Sequence, residues 1–138
     1  MAKDEADFKT EFRKDLQNEY PESNIWTNTD LFRGGLPDFC LLDRGLFVAV
    51  EAKFVKSLPK KASAKTLSHP VSPQQQEFLR KTQQAGSPGI VIIGSPQTAI
   101  ILEEIKENYT LEEVLKARRI NKENGVWQVK GFLDVWRK

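Results

Sequence analysis

Cysteine and histidine are almost missing: the 138 residues contain one of each, Cys40 and His69. One cysteine cannot make a disulfide framework, and the pair cannot build a structural zinc site of the Cys/His kind. A reducing, intracellular (cytoplasmic) compartment is therefore the expectation. No apolar run approaches the roughly 20 residues a membrane helix needs, so no membrane partner is expected. The opening Met1-Ala2-Lys3-Asp4-Glu5 is charged and unlike the apolar segment of a secretory leader. Charge of one sign is also scarce. Lys plus Arg is 21 against 19 Asp plus Glu, a net +2, which excludes a histone-like polycation. Internal repeats are absent. What remains, 39% hydrophobic and 29% charged residues, suits a folded chain. A length of 138 residues fits one compact domain, 1–138.

Charge is clustered although its sum is small. Lys53, Lys56, Lys60, Lys61 and Lys65 follow one another with no acid between them. Residues 103–113 hold five glutamates against Lys106, and the chain beyond Lys116 is basic again. A positive cluster on a near-neutral protein suits a polyanion such as DNA. It equally suits a solubilising loop.

Phe8, Phe12, Leu16 and Tyr20 recur at every fourth position, one face of an amphipathic helix that Pro21 ends. A short strand is expected over 24–29. A hairpin is expected from Asp38–Leu42 and Leu46–Lys53, turning through Asp43-Arg44-Gly45. Residues 55–71, rich in Lys, Ser, Ala and Pro, read as a long loop. Ser72 is a helix cap, Pro73 a first helical residue and Gly86 a stop. Ile90-Val91-Ile92-Ile93 is a buried strand. Residues 99–102 read as a short strand or the start of a helix. Thr110 with Glu113 forms a capping box for a helix to about Ala117. Residues 126–129 and 132–136 are weaker strand candidates. The alternation implies an α/β domain with a mixed central sheet flanked by helices.

The hairpin carries the chemistry. Glu51 and Lys53 project from one face of its second strand. With an even-length turn centred on Arg44-Gly45, paired residues sum to 89 and Asp38 faces Glu51 at about 5 Å, with Lys53 just beyond. An odd-length turn would set Asp38 nearer Val50. Two facing carboxylates repel, and a divalent cation removes the repulsion because hard oxygen ligands suit Mg²⁺. The metal ligands are then Asp38, Glu51 and the backbone carbonyl of Ala52. Such a metal acidifies bound water and stabilises charge on a phosphate oxygen. Lys53 is placed to orient or deprotonate that water, or to neutralise developing charge. An ordinary surface hairpin with a Glu-Lys pair is the plainer alternative.

Pro37-Asp38 followed by Glu51-Ala52-Lys53 resembles the signature of the PD-(D/E)XK nuclease superfamily. The order Gly35-Leu36-Pro37-Asp38-Phe39, apolar hairpin, Glu51-Ala52-Lys53, loop, Ser72-Pro73-Gln74-Gln75 and apolar strand is similar to the virus-type replication-repair nuclease (VRR-NUC) branch and the Holliday-junction resolvases. The resemblance spans about residues 5–95 and leaves 100–138 an unplaced extension. It implies a restriction-endonuclease-like core that hydrolyses DNA phosphodiesters with Mg²⁺ or Mn²⁺, acting on branched or structured DNA as a homodimer. A phage or mobile-element setting follows only by analogy. Relatives carry an acid on the first helix, matched best by Glu11 as a further metal ligand, with Glu5 as rival. Gln75 matches a glutamine opening the next helix and is expected to contact the attacking water or a phosphate, though it stands between Gln74 and Gln76 on a helix surface.

Arg33, Lys56, Lys60, Lys61 and Lys65 are the expected DNA contacts. Gly34-Gly35 lacks the Gly-Lys-Ser/Thr of a phosphate-binding loop. His69 reads as a surface residue and Cys40 as core. Trp26, Trp127 and Trp136 suit packing better than base stacking, and nothing suggests direct base reading. A binding module with an inactive nuclease core, a sequence-specific endonuclease and a protein-interaction domain using the charged tail are the competing readings.

Overall fold

Residues 4–28 and 35–137 are described by the computed structural model of the chain. In order they form α1 (Glu5–Glu19), β1 (Asn24–Thr27), β2 (Phe39–Asp43), β3 (Leu46–Phe54), α2 (Pro73–Gln84), β4 (Gly89–Gly94), β5 (Thr98–Leu102), α3 (Leu111–Lys116), β6 (Arg118–Glu123) and β7 (Val126–Trp127). A short 3₁₀ turn over Asp134–Trp136 follows.

The seven strands make one sheet in sequence order. Only β3 and β4 run parallel, and every other neighbouring pair is antiparallel. A parallel pair needs a crossover, supplied here by residues 55–72 and α2. The β2–β3 turn has Arg44 at φ 46° and Gly45 at φ 82°. Two left-handed residues fit a two-residue hairpin turn, whose twist matches the strands it joins. The pairs run from Asp43 with Leu46 to Phe39 with Val50, each summing to 89.

Each face of the sheet buries its own cluster. Phe8, Phe12 and Leu16 of α1 pack on Leu41, Val48, Val50, Ile92 and Trp127. A buried aromatic or leucine contributes about 1.5–3 kcal/mol, so this stripe is what fixes α1 to the sheet. Because α1 touches β1, β3 and β7, the sheet curls around it. On the other face Leu79 of α2 and Val114 of α3 meet Cys40, Ala49, Val91 and Ile93. Ser72 and Thr110 cap α2 and α3 through complete capping boxes.

One expectation is met and two need correction. Residues 55–71 form the expected long loop, with no helix or strand beyond a bridge of Lys65 with Thr110, and the loop is pinned as a strap. Thr66, Val71, Leu111 and Glu112 exchange backbone hydrogen bonds across the strap and residues 107–112, and Leu67 and Val71 are buried. Residues 132–136 are turn and 3₁₀: Phe132 and Leu133 both pack into the α1-side cluster, whereas consecutive strand residues face opposite sides. The region beyond residue 100, unplaced from sequence, completes the sheet; β6 had no forecast. Residues 99–102 are a strand.

Candidate active site

Pro37 and Asp38 stand where β2 begins, held by Asn28. The Asn28 amide side chain donates to the Pro37 carbonyl at 2.9 Å, and its backbone N–H donates to the Asp38 carbonyl at 3.1 Å. Two steps beyond Phe39 and Val50, the 89 register sets Ala52 opposite Pro37, which has no N–H. The ladder therefore stops. The Ala52 N–H donates instead to Asp38 Oδ2 at 2.8 Å, which aims the carboxylate along the vacated edge of β3. The Ala52 carbonyl lies on that same edge, as N–H and C=O of one strand residue do, with no proline N–H to receive. Gly35, at φ 103°, lets this loop approach α2 closely: a Cβ there would sit 2.5 Å from Gln74 Cβ.

Glu51 is 2% exposed, and its Oε1 has no hydrogen-bond partner. Its other oxygen, Oε2, lies 3.5 Å from Lys53 Nζ. Burial, and next the nearby Asp38 carboxylate, push the Glu51 carboxyl up to about 8, against the pull of Lys53 and Lys9. A buried acid facing another acid with an unpartnered oxygen is a costly arrangement. It is the kind of strain that marks sites rather than scaffolds.

The sequence reading missed Lys9. From α1 its ammonium donates to Asp38 Oδ1 at 2.8 Å and lies 3.2 Å from Glu5 Oε2. Burial opposes its charge, but the two carboxylates outweigh it and hold its pKa above the usual lysine range. No sequence signal singles out Lys9 among the lysines of an amphipathic helix.

Glu11, the expected further ligand, is not gathered here. It pairs with Lys122 of β6. Two residues beyond Lys9 is about 200° around the helix, so Glu11 faces the other end of the curl. Glu5, the rival, reaches the cluster through Lys9. Among the described residues no three His, Cys, Asp or Glu side chains gather where an ion could sit. The side-chain donors are thus the Asp38–Glu51 pair. Gln75 spends its Oε1 on the Ser72 N–H, at 3.1 Å, as the N3 residue of the capping box.

Lys56, Lys60, Lys61 and Lys65 are all exposed on the strap. Arg33 lies outside the described residues. Cys40 is buried on the α2 side, its thiol pushed up by burial, and His69 is exposed. A cleft of about 520 Å³ meets the cluster at Glu5 and is lined further by Phe54 at the end of β3 and by strap residues including Lys56, Thr66 and His69. A second cleft, of about 490 Å³, lies at the Leu46 end of β3 and is remote from this chemistry. No helix among the described residues is long and apolar enough to cross a membrane.

No protein-family model matches the sequence, and no curated protein matches it either. Among solved structures the chain is similar to Hjc, a Holliday junction resolvase from the archaeal hyperthermophile Archaeoglobus fulgidus. The TM-score is 0.53 at 17% identity, over 78% of this chain and 93% of that one. At such identity the likeness is one of fold. The α/β architecture, a mixed sheet with flanking helices in the resolvase and restriction-endonuclease manner, is as expected.

Proposed function

We propose that this chain is a metal-dependent PD-(D/E)XK nuclease hydrolysing phosphodiester bonds of branched DNA. The observation that carries the reading is the buried Glu51 set against Asp38, with Oε1 unpartnered and Lys53 3.5 Å from Oε2. Two carboxylates and the Ala52 carbonyl are hard oxygen donors of the kind Mg²⁺ or Mn²⁺ takes, and these residues would hold it. When bound, such an ion neutralises the acid pair, acidifies a water and stabilises charge on a phosphate oxygen.

The protein's own groups do the rest. The Ala52 N–H fixes the direction of Asp38. Lys53, anchored beside Glu51, brings a positive charge to the developing phosphate charge or helps deprotonate the attacking water. Gln75 keeps its amide nitrogen for a water or phosphate while its oxygen caps α2. The strap lysines contact backbone phosphates, which position DNA without reading sequence. Branched DNA is favoured because the fold is that of a protein named for resolving Holliday junctions. Two cuts on one junction require two such sites, hence a homodimer.

The test is a panel of linear, single-stranded, flap and four-way-junction DNA with Mg²⁺, Mn²⁺ or EDTA. Junction cleavage is expected with metal and not with EDTA. Lys53→Ala should lower cleavage by about 10²–10⁴-fold while junction binding stays near wild type. Cleavage unchanged by that substitution overturns the mechanism. Binding without cleavage in either metal makes the chain a DNA-binding module instead.

A further inference from the structure

Asp38 has both oxygens occupied, and the two occupants differ in kind. The Ala52 N–H on Oδ2 is fixed in a strand. The Lys9 ammonium on Oδ1 is at the end of a long flexible side chain. Across the acid pair, Glu51 faces Asp38, and its Oε1 receives no hydrogen bond from a donor of its own. The site therefore holds two cations of its own: Lys53 beside Glu51 Oε2, and Lys9 on the Asp38 oxygen that an incoming ion would take.

Resting on the acid pair as a divalent-ion site, we infer that Lys9 is a resident counter-ion: it neutralises Asp38 while no ion is bound, and transfers to Glu5 when one enters. An ammonium hydrogen-bonded to Oδ1 and a dication ligated by the same oxygen repel each other at close range. Lys9 must then yield Oδ1, and it needs an anion to go to, because leaving a part-buried ammonium unpaired is costly. Glu5 is that anion. It is one helical turn away, on the same face of α1, and already 3.2 Å from Nζ. The transfer requires a change of side-chain rotamer and no movement of the backbone. Among the described ion pairs, Lys9 is the one lysine lying between two carboxylates. Lys122, the other little-exposed lysine paired with an α1 carboxylate, has Glu11 alone.

The experiment titrates the full chain with Mn²⁺ in the absence of DNA, following free Mn²⁺ by electron paramagnetic resonance. Lys9→Met should bind Mn²⁺ at least tenfold more tightly than wild type, whereas Lys9→Arg, which keeps the charge, should bind no more tightly. Glu5→Gln should weaken binding several-fold, because the displaced ammonium then has no second partner. In the Lys9→Met background the same Glu5 substitution should have little effect, a non-additivity that a long-range field from Glu5 would not produce. Equal Mn²⁺ affinity in wild type and Lys9→Met overturns the inference, as does a Glu5 effect that persists in full without Lys9. If Lys9→Met does not fold, an unchanged affinity in Glu5→Gln is decisive against it. Asp38→Asn separates the two readings. Wild-type Mn²⁺ binding that survives this change, or no wild-type binding at all, overturns the acid-pair site itself, not merely the role of Lys9.

Discussion

Glu51 is a residue whose ordinary ionisation has been set aside by its surroundings. Its carboxyl is raised to about 8, first by burial and then by Asp38. An acid raised in the folded state binds a proton that the unfolded chain, near 4.5, has already lost. Its contribution to stability is thus complete below the unfolded value and is lost as pH rises through the folded one. Metal-free protein should lose stability between about pH 5 and pH 8, by up to about 1.4 kcal/mol per pH unit. Urea unfolding in EDTA at several pH values measures this. Glu51→Gln should flatten the profile, and an equally steep slope in that variant would rule Glu51 out as its source. Strand alternation made Glu51 legible as a companion of Lys53, and its facing Asp38 depended on an even turn, which the structure supplies at Arg44-Gly45. Lys9 and Asn28 were not legible: Lys9 acts on Asp38 from a distant helix, and Asn28 acts through loop hydrogen bonds to Pro37 and Asp38 that no periodicity announces. Glu11 looked right by position, and only the pitch of α1 turns it towards Lys122.

Elements with a strong local signal were readable, and elements held by distant partners were not. The stripe of α1, the capping boxes of α2 and α3 and the apolar run of β4 needed no tertiary information. In β6, Arg-Arg-Ile-Asn-Lys-Glu, only Ile120 is buried, so the sequence shows a charged stretch where the sheet holds a strand. The strap has no periodicity to read because single side chains and hydrogen bonds fix it. Asn108 is its main peg: the side chain accepts from Leu67 N–H at 2.9 Å and donates to the Leu67 carbonyl at 2.8 Å. Removing both bonds by Asn108→Ala should cost about 1–3 kcal/mol and loosen the strap. Trypsin should then cut at Lys60 or Lys61 well before the rest of the chain is attacked. Cleavage no faster than in wild type would show that the peg is dispensable.

For the whole molecule the question is how a chain of net charge +2 would hold a polyanion. The answer offered by the fold is distribution: the strap presents Lys56, Lys60, Lys61 and Lys65 to solvent. Replacing Lys60, Lys61 and Lys65 with glutamine should reduce the slope of log affinity against log salt by about 0.9 for each phosphate that the lysines no longer neutralise. A fluorescence-anisotropy titration on junction DNA at several salt concentrations measures the slope. An identical slope would place the DNA elsewhere on the surface.

The grip of α1 on the far end of the sheet bears on how the chain matures. Phe8 and Phe12 lie against the Trp127 ring, and Asp15 Oδ2 accepts from the Trp127 backbone N–H at 2.9 Å. The first described helix is thus sealed by the last described strand. A nascent polypeptide still lacking β7 leaves those two phenylalanines wet and α1 without its lid. Acquisition of the native state during synthesis must therefore wait until the ribosome has released that tryptophan, long after the residues of the acid pair have emerged.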